Sequence, residues 1–304
     1  MPNLKDIKSR INSVQNTKKI TKAMKMVASA KVKKAEYTVK AARPFSDELL
    51  HLFRKMLSTV SEYSSFGLKQ ERALDDYAEL IKPREVKAEG LLVMTSNKGL
   101  AGSYNNNIIK AAFKRINENK ANGIKTYIYP VGQKAVSAFK QKQNGDFVLK
   151  KGYVAIANNP TATAATIIAE DLAADFVSGE LDSIDLITTH FNNMMSYNVV
   201  AWEILPVKVE KAQEHDIDPL MVFEPSPHAI LQQLVPMYIT NSIYQALLEA
   251  NASELASRMT AMSAATNNAE EMINNLTVDY NKVRQSAITN ELVEIVSGAN
   301  SVNK

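Results

Sequence analysis

LASRMTAMSAATNNAEEMINNLTVDYNKVRQSA, residues 255–287, lies within a run from 237 to 297 that contains neither Gly nor Pro. Within it Leu255, Met259, Met262, Thr266, Ala269, Ile273, Leu276, Tyr280, Val283 and Ala287 recur at alternating steps of four and three. That spacing draws one stripe along a helix and predicts a left-handed coiled-coil seam. After Ala287 the phase slips by one, and Ile288, Leu292, Ile295 and Val296 carry the apolar character. At about 1.5 Å per residue the run would be roughly 90 Å long. No globule of this size encloses such a helix, so it must project, and its stripe needs another surface to cover it.

The opposite end of the chain offers that surface. Residues 3–43 also lack Gly and Pro, and Leu4, Ile7, Ile11, Val14, Thr17, Thr21, Met24 and Ala28, flanked by Ile20 and Val27, form a second stripe. Two successive steps of three at Ile11, Val14 and Thr17 predict a stammer that overwinds the supercoil locally. Pro44 predicts a kink or break, after which Leu49, Leu50, Leu52, Phe53, Met56, Leu57 and Val60 resume an amphipathic helix. The two long helices are expected to pair antiparallel within the chain. About 30 Å of the longer one then has no partner. Ile288, Leu292, Ile295 and Val296 fall there, so a second protein is expected to cover them.

Between these helices the punctuation changes, with nine of the ten glycines between Gly67 and Gly179. Gly90 to Ser96 reads as a buried strand and loop, Ile108 to Ile116 as a helix, and Thr126 to Tyr129 as a strand. Phe139 and Phe147 flank a polar turn. Ala164 to Val177 reads as a helix, Ile184 to Thr189 as a strand, and Val199 to Val209, interrupted by Pro206, as an edge strand. Strands alternating with helices predict a mostly parallel sheet covered by helices. The fold class expected is therefore α/β: a long antiparallel coiled coil of the N- and C-terminal helices with an inserted Rossmann-like domain. Its parts are a first helix over 1–60, a connection over 61–84, an α/β domain over 85–210, a connection over 211–236 and a last helix over 237–304.

Composition excludes more chemistry than it suggests. Among 304 residues there is no Cys, which removes disulfides, thiolate metal sites and cysteine nucleophiles, and only four His. No apolar run approaches the roughly 18 residues of a membrane span, and residues 1–10 show no signal-peptide apolar core, so a cytoplasmic, non-spanning chain is expected. The overall charge of +4 hides an asymmetry: residues 3–43 carry twelve Lys or Arg against Asp6 and Glu36, a net of +10. Such an arm suits an acidic protein surface, an anionic lipid or a nucleic acid. A DNA-reading basic region runs into a parallel zipper of like helices, whereas these two are unlike and sit at opposite ends, so nucleic acid is not the expected partner.

The stretch Asn97-Lys-Gly-Leu-Ala-Gly-Ser-Tyr-Asn105 follows a strand and precedes a helix, where phosphate loops sit. Its spacing meets neither the P-loop nor the dinucleotide pattern, since only Gly99-x-x-Gly102 is present, and a tight strand-to-helix connection is expected instead. His190, His215 and His228 lack metal-ligand spacing. Asp171, Asp175, Asp182 and Asp185 are explained by helix and turn positions. Catalytic, metal and cofactor residues are accordingly expected to be none.

Three groups of residues carry a family resemblance. Ile7-Lys-Ser-Arg-Ile11 with Ser13-Val-Gln-Asn-Thr17 and Lys19-Ile-Thr-Lys-Ala-Met24 resembles the opening of the gamma subunits of F-type ATP synthases. Ala256-Ser-Arg-Met259, Met262-x-x-Ala-Thr266, Leu276-Thr277, Tyr280-Asn281, Arg284-Gln285, Ile288-Thr289 and Glu291-Leu292 through Gly298 resemble their ending. Ser96-x-x-Gly-Leu-x-Gly102 with Asn105 resembles their middle. The resemblance implies a non-catalytic rotor shaft that couples ion flow to ATP synthesis or hydrolysis. One such subunit turns inside a ring of three alpha and three beta subunits. Its foot lies against an epsilon subunit and the membrane c-ring, and the complex is peripheral on the cytoplasmic side of the cell membrane. By matching motifs, Arg10, Lys22, Met24 and Lys25 would face acidic beta-subunit helices. Arg258, Arg284, Gln285 and Thr289 would meet the ring's catch loops, and Leu292, Ile295 and Val296 its upper bearing. Ala101-Gly102-Ser103-Tyr104 departs from the commoner Cys-Gly-Gly-Phe, and with no Cys the disulfide switch of chloroplast relatives is impossible, so a bacterial member is expected.

Overall fold

The computed structural model describes residues 3–65, 80, 84–143, 145–158, 160–207, 224 and 227–302, with backbone alone at 57–65, 158, 227–228, 231–232 and 298–302. Most of the expected connections, with His215, and the side chains of Leu57, Val60 and His228 lie outside what is described. Two long helices bracket the chain: α1, Leu4–Ser65, and α5, Pro227–Val302. Between them come β1 (Ala88–Met94), α2 (Tyr104–Ala121), β2 (Lys125–Val131), α3 (Gln133–Gln141), β3 (Val148–Leu149), α4 (Ala162–Val177), β4 (Ser183–Asn193) and β5 (Ser196–Leu205).

Neither long helix stops at its proline. α1 continues through Pro44, so the proline does not break the helix, and α5 begins ten residues before 237 and continues through Pro236. Both prolines are exposed. The carbonyl that each leaves without an N–H partner, four residues back, can therefore be satisfied by water, while the opposite face of the helix stays packed.

The chain divides into two compact units, residues 1–30 with 258–304, and residues 31–257. In the first, Thr266 Oγ1 lies 2.9 Å from Thr21 Oγ1, and Lys18 Nζ lies 3.0 Å from Glu270. The order of these contacts makes the pair antiparallel. Ile7, Thr21, Ala28, Met262, Thr266 and Ala269 are its buried residues. The sequence placed Thr17 in this seam, but Thr17 is exposed and its hydroxyl donates to the Ser13 carbonyl, while Lys18 is half-buried in its place. The stem of Lys18 can lie along apolar surface while its ammonium reaches Glu270, so a lysine fills a position that an apolar count gives to its neighbour. The two steps of three therefore fall at Lys18, Thr21 and Met24 rather than at Ile11, Val14 and Thr17. Ile20 and Val27 are exposed.

In the second unit five strands form one sheet in the order β3-β2-β1-β4-β5, all parallel except the edge strand β5, which runs antiparallel to β4. β1 is buried along nearly all its length, and apolar from Leu91 to Met94, because both of its faces are covered. Leu91 and Val93 point into a core with Ile108, Ala112 and Ile116 of α2 and Ala135 and Phe139 of α3. Leu92 and Met94 point the other way, into a core with Ile168 and Leu172 of α4, Leu49, Phe53 and Met56 of α1, and Val235, Ile239 and Ile243 of α5. The central segments of both long helices are thus one layer of this unit. α4 is N-capped by Thr161, whose side chain accepts from the Ala164 N–H. Neither α3 nor β3 is legible in the sequence pattern. Each is short, and β3 has just two residues paired to β2.

Candidate interaction surface of the paired helix ends

The seam of the first unit fades along α5. Met262, Thr266 and Ala269 are buried, Ile273, Leu276, Tyr280 and Val283 are half-buried, and every described side chain from Arg284 to Ser297 is exposed. The register explains the change, since the contacts at Thr21 and Lys18 put Leu4, the start of α1, opposite about residue 284. Beyond that point α1 supplies nothing to pack against. Ala287, expected in the seam, is exposed for this reason.

Leu292, Ile295 and Val296 are nevertheless 57%, 62% and 59% exposed, with Ile288 at 49%. At about 100° per residue, Arg284, Gln285, Ile288, Thr289, Leu292, Ile295 and Val296 fall within an arc of roughly 140°. The tip thus presents one apolar face edged by polar groups. The Thr289 hydroxyl donates to the Gln285 carbonyl at 2.9 Å.

The basic candidates lie on the same unit. Arg10, Lys22 and Lys25 are exposed, and Met24 and Arg258 are half-buried. They do not converge on a pocket. From the level of Lys25 to that of Thr289 the candidates spread over about 40 Å of helix, which is the geometry of a long contact surface and not of a catalytic centre.

The stretch most like an enzyme's, between β1 and α2, is a closed corner of the second unit. The first-turn N–H groups of α3 close onto it. Gln133 donates to Asn97 Oδ1 at 2.7 Å, Lys134 to the Ser96 carbonyl at 3.1 Å and Ala135 to Thr95 Oγ1 at 2.9 Å. Asn105 Oδ1 accepts from the backbone N–H and the hydroxyl of Ser96. Gly102 has φ 55°, as a tight connection requires. Gly132, which the sequence reading did not single out, lets the corner close: a Cβ there would lie 2.3 Å from the Thr95 carbonyl oxygen.

The titratable residues weighed in the sequence serve as ties. Asp182 Oδ2 accepts from the N–H groups of Lys87 and Ala88, Asp171 pairs with Lys151, and Asp175 with Lys150. Asp185 lies 3.1 Å from Arg115, which also holds buried Glu89. Burial, with the neighbouring Glu89, pushes the Asp185 carboxyl up to about 6. Among the described residues no group of His, Asp and Glu could hold a metal ion, and no helix is long and apolar enough to cross a membrane.

The family described as ATP synthase matches residues 3–302. The ATP synthase gamma chain of Picosynechococcus is 40% identical over 329 aligned residues, covering 99% of this chain and all of that one, and that of Nostoc punctiforme matches to the same extent. The chain belongs to the gamma-chain family of the ATP synthases. Among solved structures, it is similar to a chain in the central stalk and c-ring of the Tetrahymena thermophila mitochondrial ATP synthase, with a TM-score of 0.55 and 25% identity, covering 81% of this chain and 99% of that one. A chain of the Euglena gracilis mitochondrial ATP synthase shares the fold at a TM-score of 0.62 and 16% identity, covering 98% and 94%. The expected family, the α/β fold with long terminal helices and the central-stalk role are thereby established.

Other residues of this gamma-family fold escaped the sequence reading. Lys18 and Glu270 help to fix the register of the seam, alongside Thr21 and Thr266, which the stripes already contain. Arg43, Glu249 and His190 form a network within the second unit. The signal for Lys18 was present, because a step of four from Val14 lands on it. For Arg43 and Glu249 nothing in the local pattern marks a pairing across 206 residues.

Proposed function

We propose that this chain is the central rotating shaft of an F-type ATP synthase, one copy within a ring of three alpha and three beta subunits, and that it holds no catalytic or cofactor site itself. The paired helix ends work inside the ring. The α/β unit stands toward an epsilon subunit and the c-ring, on the cytoplasmic face of the membrane. The observation that carries this reading is the exposed apolar face of Ile288, Leu292, Ile295 and Val296, which lies past the end of α1 and so calls for a sleeve from another protein. Arg10, Lys22 and Lys25 supply cationic charge for acidic beta-subunit helices, where complementary potential steers orientation more than it adds affinity. Met24 and Arg258 belong to the same contact zone. Arg284, Gln285 and Thr289 engage the ring below the bearing formed around Leu292, Ile295 and Val296. An asymmetric shaft makes its best contacts with one beta subunit at a time, so turning it changes the sites in sequence.

Truncation after Thr289 tests the reading. It removes three of those four apolar side chains, Leu292, Ile295 and Val296, each worth roughly 1.5 to 3 kcal/mol when fully buried. The truncated complex should lose ATPase at a lower temperature than the full-length one, while the isolated chain, whose tip is exposed, should unfold as before. Equal heat resistance of the two complexes would show that no sleeve covers the tip.

A further inference from the structure

We propose that Arg43 and Glu249 are the joint that makes the central segments of the two long helices and the α/β sheet turn as one body, and that they are thereby positioning residues for rotary coupling. The proposal rests on the central-shaft reading above. Its site lies wholly within the unit of residues 31–257, where α1, α5 and the far end of β4 meet at Phe191.

β1 pairs with β4 only as far as Ile187. Past that residue β4 has no strand on its β1 side, and at Phe191 the two helices supply the missing partners. Glu249 of α5 accepts from the Phe191 N–H through Oε2 at 2.8 Å, and Arg43 of α1 donates from Nη2 to the Phe191 carbonyl at 2.8 Å. The two side chains also bind each other, Arg43 Nε to Glu249 Oε1 at 3.0 Å. One residue of the sheet is therefore gripped by both its backbone groups, one from each helix.

Glu249 is only 4% exposed, and a buried carboxylate is tolerable only when its oxygens are occupied. Here they are. Gln245 Nε2 donates to Oε1 at 3.1 Å, and His190 Nδ1 lies 2.7 Å from Oε2. The Phe191 ring is buried in a core with Val32, Ala35 and Val39 of α1 and Leu248, Ala252 and Ala256 of α5. Apolar contact resists separation but is non-directional, so alone it opposes sliding and twisting poorly. Charge-assisted hydrogen bonds are directional and supply the missing resistance.

The test uses the assembled complex carrying Arg43→Ala or Arg43→Lys. Three quantities are read: ATPase of the assembled complex, ions pumped per ATP hydrolysed, and hydrogen exchange at the Phe191 amide. In Arg43→Ala the Glu249 carboxylate that holds the Phe191 amide loses its orienting partner, and that amide should exchange roughly tenfold faster. ATPase should persist while pumping per ATP falls by half or more. Arg43→Lys should fall between, because an ammonium keeps Glu249 paired but lacks the fork that reaches two acceptors at once. An unchanged pumping ratio in a complex whose Phe191 amide has been released overturns the proposal, as does an amide indifferent to the loss of Arg43. If Arg43→Ala does not assemble, Arg43→Lys decides by the same two readings. A tagged wild-type chain that fails to copurify with an ATP-hydrolysing ring would sink the shaft reading itself, and with it this proposal, before any variant is made.

Discussion

The same two helices behave differently in the two units. From Lys31 onward α1 buries Val32, Val39, Leu49, Phe53 and Met56, but before it only Ile7, Thr21 and Ala28. Likewise α5 buries Leu234, Val235, Ile239, Ile243 and their neighbours up to Ala256, and after that, among the described side chains, only Met262, Thr266 and Ala269. The central segments have a sheet as well as each other, so two faces of each helix can be covered. The terminal segments have only each other, and two helices in contact cover one narrow stripe. Small and polar residues suit that stripe, and Thr21 against Thr266 shows how little apolar area it offers. Helical stability in this chain is lent by the sheet in the central segments and rests on one narrow seam in the terminal ones.

The contrast can be broken most forcefully in the central segment. Phe53 is 1% exposed and stacks on Tyr238 with ring centroids 5.0 Å apart. Phe53→Ala should cost about 3 to 5 kcal/mol, the usual range for emptying an aromatic site in a core. Denaturant unfolding of the isolated chain would read it. A loss below about 1 kcal/mol would mean that this segment is no better supported than the ends.

A smaller effect should come from Asp185 in β4, inside the sheet. The Asp185 carboxyl titrates near 6 in the folded chain against 3.8 as the ordinary value. The native state therefore binds this proton more tightly than the unfolded chain does, and its contribution to stability is fully present below pH 3.8 and is lost as pH rises through about 6. Asp185→Asn carries no charge to desolvate, so its stability should drop less across that interval, by about 1 to 3 kcal/mol. Parallel stability curves for wild type and variant between those pH values would refute the assignment. The terminal segments, whose described charges are mostly exposed, should contribute little to this slope.

The smallest effect on the fold belongs to the basic face of the terminal segment. Lys22 and Lys25 are exposed, and neither supports the seam. Reversing both to Glu should leave the unfolding of the isolated chain nearly unchanged, since exposed charge pairs are each worth about 0 to 1 kcal/mol. In the complex the same change should lower ion pumping per ATP hydrolysed. An unaltered ratio would show that this face takes no part in coupling, and a large loss of chain stability would show that the lysines were structural.

Much of this architecture is a property of the sequence alone. The four-three recurrence from Leu255 to Val283 and the Gly- and Pro-free runs dictate two long helices, because period and length are local facts about the chain. Apolar positions that outlast the shorter helix can be counted in the sequence, and so can the apolar tip. Continuous apolar stretches such as Leu91 to Met94 announce a strand covered on both faces. What the tertiary structure decided is which groups meet across the chain. The place of Lys18 in the seam depends on Glu270 being opposite it, the passage of α1 through Pro44 depends on which face meets water, and the closing of the loop after β1 depends on Gly132 lying against Thr95. The grip of Arg43 and Glu249 on Phe191 depends on three elements converging from separate parts of the sequence. Periodicity tells a residue which way to face, but a hydrogen bond or an ion pair needs a partner whose position is set only when the chain has folded.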